Sequence, residues 1–360
     1  MSNQTIGSHR IHVAVSRPYD VLVGPGLFPR VPELIRPLGG TAVAIVTDDT
    51  VEKLYGRTLQ QALEQSGFPA CLYAFPHGEA AKNMGTLSDI LEFLAAHRLT
   101  RGDLLLALGG GVVGDVAGLA AALYMRGIRV VGIPTTLLAA ADASVGGKTA
   151  VDLAAGKNLA GVFHQPSLVI CDTDVIRRLP DDIWKEGVAE IIKCDVIGDL
   201  HLTPFLTDGT LREHLDDALC ACIGLKRDIV EADEFETLGR RQLLNAGHTV
   251  AHGIETCSRY AVSHGYAVGT GLVVEAKIAK RLSLTDHATA EKIETAVKKA
   301  GLLTPLPAPA EELVGAMRRD KKNTDDDIVF VLPVRFGHCV PQKLTPARLT
   351  GLLREIGGLS

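Results

Sequence analysis

Aromatic residues make up only 4% of the 360-residue chain, so any core has to be built from aliphatic and small side chains. Positive charge is not in excess either: 37 Lys and Arg stand against 42 Asp and Glu, a formal net charge of -5. Binding a nucleic-acid backbone needs a basic face, and no long Lys/Arg run supplies one, so no nucleic-acid partner is expected. The seven cysteines (Cys71, Cys171, Cys194, Cys220, Cys222, Cys257, Cys339) are odd in number and contain no CxxC pair. They indicate neither a disulfide framework nor a thiolate zinc site, only reduced and mostly buried thiols. No stretch reaches the roughly 18 to 20 apolar residues of a membrane span, and MSNQTIGSHRIHVAVSR has no continuous apolar run before its first charges. A cytoplasmic protein with no membrane partner is expected. Internal repeats and low-complexity segments are also lacking.

What is present suits a soluble α/β enzyme: 46% hydrophobic residues, 22% charged, and 37 glycines. The length exceeds one ordinary core and implies two domains with a cleft between them. Short β-branched runs (Ile11 to Ser16, Tyr19 to Val23, Ala42 to Thr47, Ala70 to Phe75, Asp103 to Leu108, Arg129 to Pro134, Leu168 to Cys171) alternate with helical stretches such as Val51 to Ser66 and Leu87 to His97. This alternation predicts βαβ units and a largely parallel, Rossmann-like sheet over residues 1–180. After Leu179-Pro180 the pattern becomes mainly helical (Ile183 to Ile197, Leu211 to Ala232, Thr249 to Tyr260, Gly269 to Leu282, Ala288 to Ala300), with one late strand at Ile328 to Pro333. Residues 181–360 are therefore expected to form a second, helical domain.

Asp103-Leu-Leu-Leu-Ala-Leu runs directly into Gly109-Gly110-Gly111-Val-Val-Gly114-Asp115 and an Ala-rich helix to Tyr124. A strand, a tight turn and a helix N-terminus let backbone N–H groups approach a pyrophosphate. The usual ribose-binding acid is missing about 20 residues further on, where Arg129, Val130 and Val131 stand; Asp48, at the end of an earlier strand, could supply one instead. Asp142-Ala-Ser-Val-Gly146-Gly147-Lys148-Thr149 ends like a P-loop but fails on spacing, because Asp142 stands where the motif requires its first glycine. That leaves the Gly-flanked Lys148, followed by Lys157-Asn158, with Tyr124-Met-Arg126-Gly127 upstream.

Three histidines in the second half suggest a metal. His248 and His252 lie one helical turn apart, and His264 follows shortly after; Glu190 and Lys193 share one face of another predicted helix. Two histidines and a carboxylate leave open positions on a metal, which is a catalytic arrangement and not a structural one. Spacing alone leaves open which two of the three histidines bind.

Together these stretches resemble 3-dehydroquinate synthase over most of the chain. The resemblance is carried by GEAAK (Gly78 to Lys82), GGGVVGD (Gly109 to Asp115), YMRG (Tyr124 to Gly127), PTTLLA (Pro134 to Ala139), DASVGGKT (Asp142 to Thr149), GKN (Gly156 to Asn158), GVAEIIK (Gly187 to Lys193), RQLLNAGHTVAH (Arg241 to His252), HGYAV (His264 to Val268) and DKK (Asp320 to Lys322). It implies that Glu190, His248 and His264 hold zinc or cobalt. The NAD contacts it implies are Asp115, Asp142, Thr135, Thr136 and the Gly109 to Gly111 turn, with Asp48, Glu79, Lys82, Lys148 and Lys157. For a phosphorylated sugar-acid substrate it implies Lys148, Arg241 and Asn245 at the carboxylate. Asn158, Lys193, His252 and Lys321 or Lys322 would then meet the phosphate. Lys226 would sit beside the reacting hydroxyl, and Arg126 would reach the neighbouring subunit of a homodimer. The implied reaction is transient oxidation of an alcohol by NAD, phosphate elimination with the phosphate's own oxygen as base, re-reduction, ring opening and an intramolecular aldol closure.

Three departures from the family pattern lie near these residues: Tyr266 in HGYAV, Cys194-Asp195 after Lys193, and an extra residue before Arg241. LPDDI (Leu179 to Ile183) also replaces an Arg-Glu pair. One rival reading is another sugar-phosphate cyclase, of the 2-deoxy-scyllo-inosose or valiolone synthase type. Arg241, Asn245 and His252, which all match the dehydroquinate pattern, speak against it. A metal-dependent polyol dehydrogenase is a second rival, disfavoured because an uncharged alcohol has no use for so many lysines. A dead dinucleotide-binding module is the third, and it would have lost ligands.

Overall fold

The computed structural model describes residues 8–318 and 327–357. Lys321 and Lys322, expected at the phosphate, lie outside the described residues. Close contacts divide the chain into two compact units. One holds residues through Leu179 together with Lys226–Phe235; the other holds Pro180–Leu225 and the chain from Glu236 onward. Among the described residues, no helix is long and apolar enough to cross a membrane.

The first unit is built on a seven-stranded sheet. Its strands in chain order are β1 (His9–Val13), β2 (Tyr19–Gly24), β3 (Val43–Asp48), β4 (Ala70–Phe75), β5 (Leu104–Gly109), β6 (Arg129–Pro134) and, after a separate hairpin, β9 (Leu168–Asp172). Their spatial order is β1-β2-β9-β6-β5-β3-β4. Only β1 runs antiparallel, against β2; every other pairing is parallel. Parallel strands need helical crossovers, which cover both faces, and this is why these runs read as almost continuously apolar. In β5 successive side chains divide between two cores: Leu104, Leu106 and Leu108 pack with Val43, Ile45 and Ile133. Leu105 and Ala107 pack on the other side with Val46, Val116 and Ala120.

The helix Gly111–Leu123 follows β5 directly. Its small residues let other chain segments come close. A Cβ on Gly118 would lie 2.5 Å from Cγ2 of Thr149, so this face of the helix is reserved for β7 (Lys148–Leu153). That strand forms an antiparallel hairpin with β8 (Gly156–Phe163), with Lys148 opposite Phe163. The sequence suggested only glycine-rich turns here, so the hairpin is an addition to that reading.

The second unit is mainly helical. Its principal helices are Asp181–Gly198, His248–Cys257, His264–Arg281 and His287–Lys299, with a short antiparallel pair, β10 (Ile328–Arg335) and β11 (His338–Leu344). Glycines allow three of these segments to meet at van der Waals distance. A Cβ on Gly265 would lie 2.5 Å from the Glu186 backbone, and one on Gly271 would lie 2.1 Å from the Gly247 carbonyl oxygen. The helix beginning at His264 is thereby pressed against both the Glu190-bearing helix and the turn that launches His248.

Candidate active site

Glu190 occupies the middle of helix Asp181–Gly198 and is 1% exposed. His248 is the first residue of its helix, after Gly247, whose left-handed φ of +80° favours glycine. The buried Glu275 fixes that turn by accepting a hydrogen bond from the Gly247 N–H at 2.6 Å. His264 likewise begins a helix, and Glu186 steadies it by accepting from the Ser263 hydroxyl and from the Gly265 N–H.

The three side chains converge, with ligand atoms all within 4.8 Å of one another. Oε1 of Glu190 lies 3.6 Å from Nε2 of His248 and 3.3 Å from Nε2 of His264. Metal–ligand bonds of roughly 2.0–2.1 Å in a tetrahedral site put neighbouring donors about 3.3–3.4 Å apart, so the separations suit one small divalent cation. Each imidazole also has its far nitrogen engaged. Nδ1 of His248 lies 3.1 Å from the Ala246 carbonyl, and Nδ1 of His264 lies 3.4 Å from Glu255 Oε1. An Nδ1–H donated outward leaves Nε2 as the nitrogen that would meet a metal, the arrangement that orients metal-binding histidines.

The electrostatics point the same way. Burial pushes His248 down to about 3, with the Glu190 charge opposing it too weakly. Burial also works against the charged form of His264, but hydrogen bonds to Glu190 and Glu255 outweigh it and lift that ring to about 10. Two buried carboxylates, Glu190 and Glu255, thus favour the charged form of His264, while burial holds His248 neutral. A divalent cation bound to both Nε2 atoms satisfies the carboxylate and both imidazoles together.

Lys193, 1% exposed, pairs with Oε2 of Glu190 at 2.5 Å. The ring of His252 stands 5.9 Å from that of His248 and nearly perpendicular to it, beside the cluster and not in it. Arg241 and Asn245 lie on the 3-10 segment Arg240–Asn245, immediately ahead of His248, with Arg241 1% exposed.

In the first unit Thr135 and Thr136 lie against the β5 turn. The Thr135 N–H donates to the Gly109 carbonyl at 3.0 Å, and a Cβ on Gly110 would sit 3.3 Å from Cγ2 of Thr136. A Cβ on Gly109 would lie 2.5 Å from Val113 Cγ2, so that glycine is required by packing whatever else it does. Lys82 pairs with Asp115 at 2.6 Å, and Lys157 with Glu79 at 3.6 Å. The ammonium of Lys226 donates to both the backbone carbonyl and the carboxylate of Asp142. Asp48 caps a short helix, accepting from the N–H groups of Thr50 and Val51. Lys148 begins β7 and is exposed; Asn158 lies on β8 with φ +55° and its N–H bonded to Asp152. Arg126, also exposed, has a left-handed φ of +67° beside Met125 at +50°.

Sequence reasoning missed the carboxylates that support this cluster: Glu186, Glu255 and Glu275. Glu255 alone left a signal, two helical turns after His248. Asp195, which departs from the family pattern, is explained. It is buried and accepts from the Leu202 and Thr203 N–H groups and the Thr203 hydroxyl, capping helix Thr203–Asp208.

Comparison with known proteins gives concordant results. Residues 72–186 match the family described as 3-dehydroquinate synthase N-terminal, and residues 187–323 match 3-dehydroquinate synthase C-terminal. A 3-dehydroquinate synthase of Caulobacter vibrioides is 42% identical, covering 95% of this chain and 97% of that protein. Among solved structures, a 2-deoxy-scyllo-inosose synthase complexed with carbaglucose-6-phosphate, NAD+ and Co2+ superposes with a TM-score of 0.88 at 25% identity, covering 97% of this chain and 99% of that one. A 2-epi-5-epi-valiolone synthase from Streptomyces hygroscopicus subsp. jinggangensis 5008, with NAD+ and Zn2+ bound, gives 0.85 at 26% identity, with 97% and 99% covered.

Proposed function

The chain belongs to the 3-dehydroquinate synthase family, and on that premise we propose that it converts 3-deoxy-D-arabino-heptulosonate 7-phosphate into 3-dehydroquinate and inorganic phosphate. It thereby acts as an NAD- and metal-dependent lyase of the shikimate pathway and aromatic amino acid biosynthesis, working in the cytoplasm as a homodimer. The observation that carries this reading is the convergence of Glu190, His248 and His264, with Arg241 and Asn245 placed directly ahead of His248 in the chain.

When bound, zinc or cobalt on those three side chains would acidify a substrate hydroxyl, and NAD at the Gly109–Gly111 turn would take up a hydride and return it. The protein's own residues provide the rest. Ala246 and Glu255 hold the two imidazoles in one tautomer and orientation. The fork of Arg241 and the amide of Asn245 suit the substrate carboxylate, Arg241 through paired N–H donors, with Lys148 as a further cation. Lys193 and His252 suit the phosphate. Lys226, pinned by Asp142, offers an ammonium donor in a defined position. Much of the acceleration comes from holding one substrate conformation through successive steps.

The decisive assay gives the purified protein this heptulosonate phosphate with NAD+ and zinc. Phosphate release without net NADH is the expected result. Stoichiometric NADH would establish a dehydrogenase instead, and phosphate released only from a different sugar phosphate would establish a different cyclase.

A further inference from the structure

The parallel sheet has a second concentration of polar groups, at the edge opposite the Gly109–Gly111 turn. A cavity of about 390 Å3 opens there, lined among others by Arg17, Arg101, Arg129, His164 and Gln165. This volume falls within the roughly 300–1,000 Å3 of small-molecule pockets. The lining residues come from segments that precede or begin strands: Arg17 before β2, Arg101 before β5, Arg129 at the start of β6, Ser167 before β9. Ligands of open α/β sheets ordinarily bind at the other edge, beyond the strand ends; of this cavity's lining only His164 and Pro166 also line the pocket beside the Gly109–Gly111 turn, and none of the three arginines does.

Three arginines line one cavity in a chain of net charge -5. Among the described residues none of the three is paired with a carboxylate. The neighbouring acids are already engaged. Asp103 accepts from Thr41, Ala42 and Thr100, and Glu234 accepts from Ser16 and Gln165. Arg101 is held by the Met125 carbonyl, and Arg129 by the carbonyls of Leu38 and Gly102. Those bonds fix the guanidiniums without cancelling their charge, and each still has N–H donors to offer. We propose that this cavity is a binding site for a small multivalent oxyanion, a phosphate ester or a polycarboxylate, held by Arg17, Arg101 and Arg129.

Calorimetric titration with inorganic pyrophosphate, and separately with citrate, tests this on the full chain and on the Arg17→Gln/Arg101→Gln variant. The wild type should show a binding component that weakens by at least about tenfold in the variant. Dependence on the arginines with pyrophosphate alone identifies a phosphate ligand, with citrate alone a polycarboxylate, and with both a site that reads charge. Identical isotherms for both proteins with both anions would overturn the proposal. Arg101 supports the Met125 carbonyl, so the double variant could lose its fold. In that event Arg17→Gln alone, with no hydrogen-bond partner to lose, must weaken the component by at least about threefold, and an unchanged isotherm there overturns the proposal equally. The phosphate-release assay reports independently on the proposed activity, so failure of one reading is distinguishable from failure of the other.

Discussion

Gly271 faces Gly247 so closely that a Cβ on the former would lie 2.1 Å from the carbonyl oxygen of the latter. Replacing glycine by alanine inside a helix ordinarily gains up to about 1 kcal/mol. Here the added carbon meets backbone, which cannot swing aside, and overpacking of this kind costs about 1–3 kcal/mol. Gly271→Ala should therefore lower the midpoint of urea unfolding and, by displacing the turn before His248, lower zinc content per chain. A stability at or above wild type would show that the contact does not set the position of His248.

The ligand set predicts a graded response to substitution. Glu190→Ala and His248→Ala each remove a first-layer donor and should abolish both bound metal and turnover. Glu255→Gln keeps all three donors but weakens the acceptor that orients His264; loss of such a partner typically costs about 10–100-fold in metal affinity or activity. Added zinc should rescue this variant and not the other two. His214, stacked on Phe205 with ring centroids 4.1 Å apart, lies outside the cluster, and His214→Ala should leave metal content and activity near wild type. Metal analysis by mass spectrometry alongside phosphate release separates these cases.

The difference between what the sequence disclosed and what it withheld follows from the range of the interactions. The β5–turn–helix unit was legible because one continuous stretch, Asp103 to Tyr124, carries the apolar strand, the glycines and the helix. The histidines were less so. Spacing offered His248 and His252 as a natural pair, yet His264 joins the cluster because Gly265 and Gly271 bring a different helix close. Contacts between helices leave no periodic trace in either one, so this choice rested on family resemblance. The same holds for Glu186 and Glu275, whose roles are to hold turns belonging to other segments. The β7–β8 hairpin was hidden for another reason: exposed Leu153, Leu159, Val162 and Phe163 blur the inside–outside alternation by which a strand is recognised.

Asp103 gives the protein a defined acid response. Burial opposes its charged form, but donors from Thr100, Thr41 and Ala42 prevail and hold the carboxyl down at about 2. A depressed carboxylate contributes stability that is full above its ordinary value near 3.8 and is lost as pH falls through about 2. The shift corresponds to about 2 kcal/mol. Asp103→Asn should lose about that much at neutral pH and show a flatter stability profile between about pH 4 and pH 2 than the wild type. Parallel acid limbs in the two proteins would assign the acid sensitivity to other groups.

Lys82 and Asp115 offer the sharpest separation of framework from cofactor site. Lys82 is 5% exposed and its ammonium lies 2.6 Å from Asp115. Burial pushes Asp115 up despite that cation, while the charges of Asp115 and Glu79 overcome burial to raise Lys82. Removing one partner leaves an uncompensated charge in a poorly solvated place, so Lys82→Met should destabilise by about 3–5 kcal/mol. Replacing both, Lys82→Met with Asp115→Leu, should recover most of that loss, because a buried pair contributes little net stability over apolar side chains of similar volume. Urea titrations of the singles and the double close the cycle. NAD binding, followed by fluorescence of NADH, then divides the possibilities. If Asp115 or Lys82 contacts the dinucleotide, the refolded double variant binds it poorly although its stability is restored. If it binds NADH as the wild type does, the pair serves to anchor the helix after the glycine turn, and the cofactor is held by the turn's backbone and by Thr135 and Thr136.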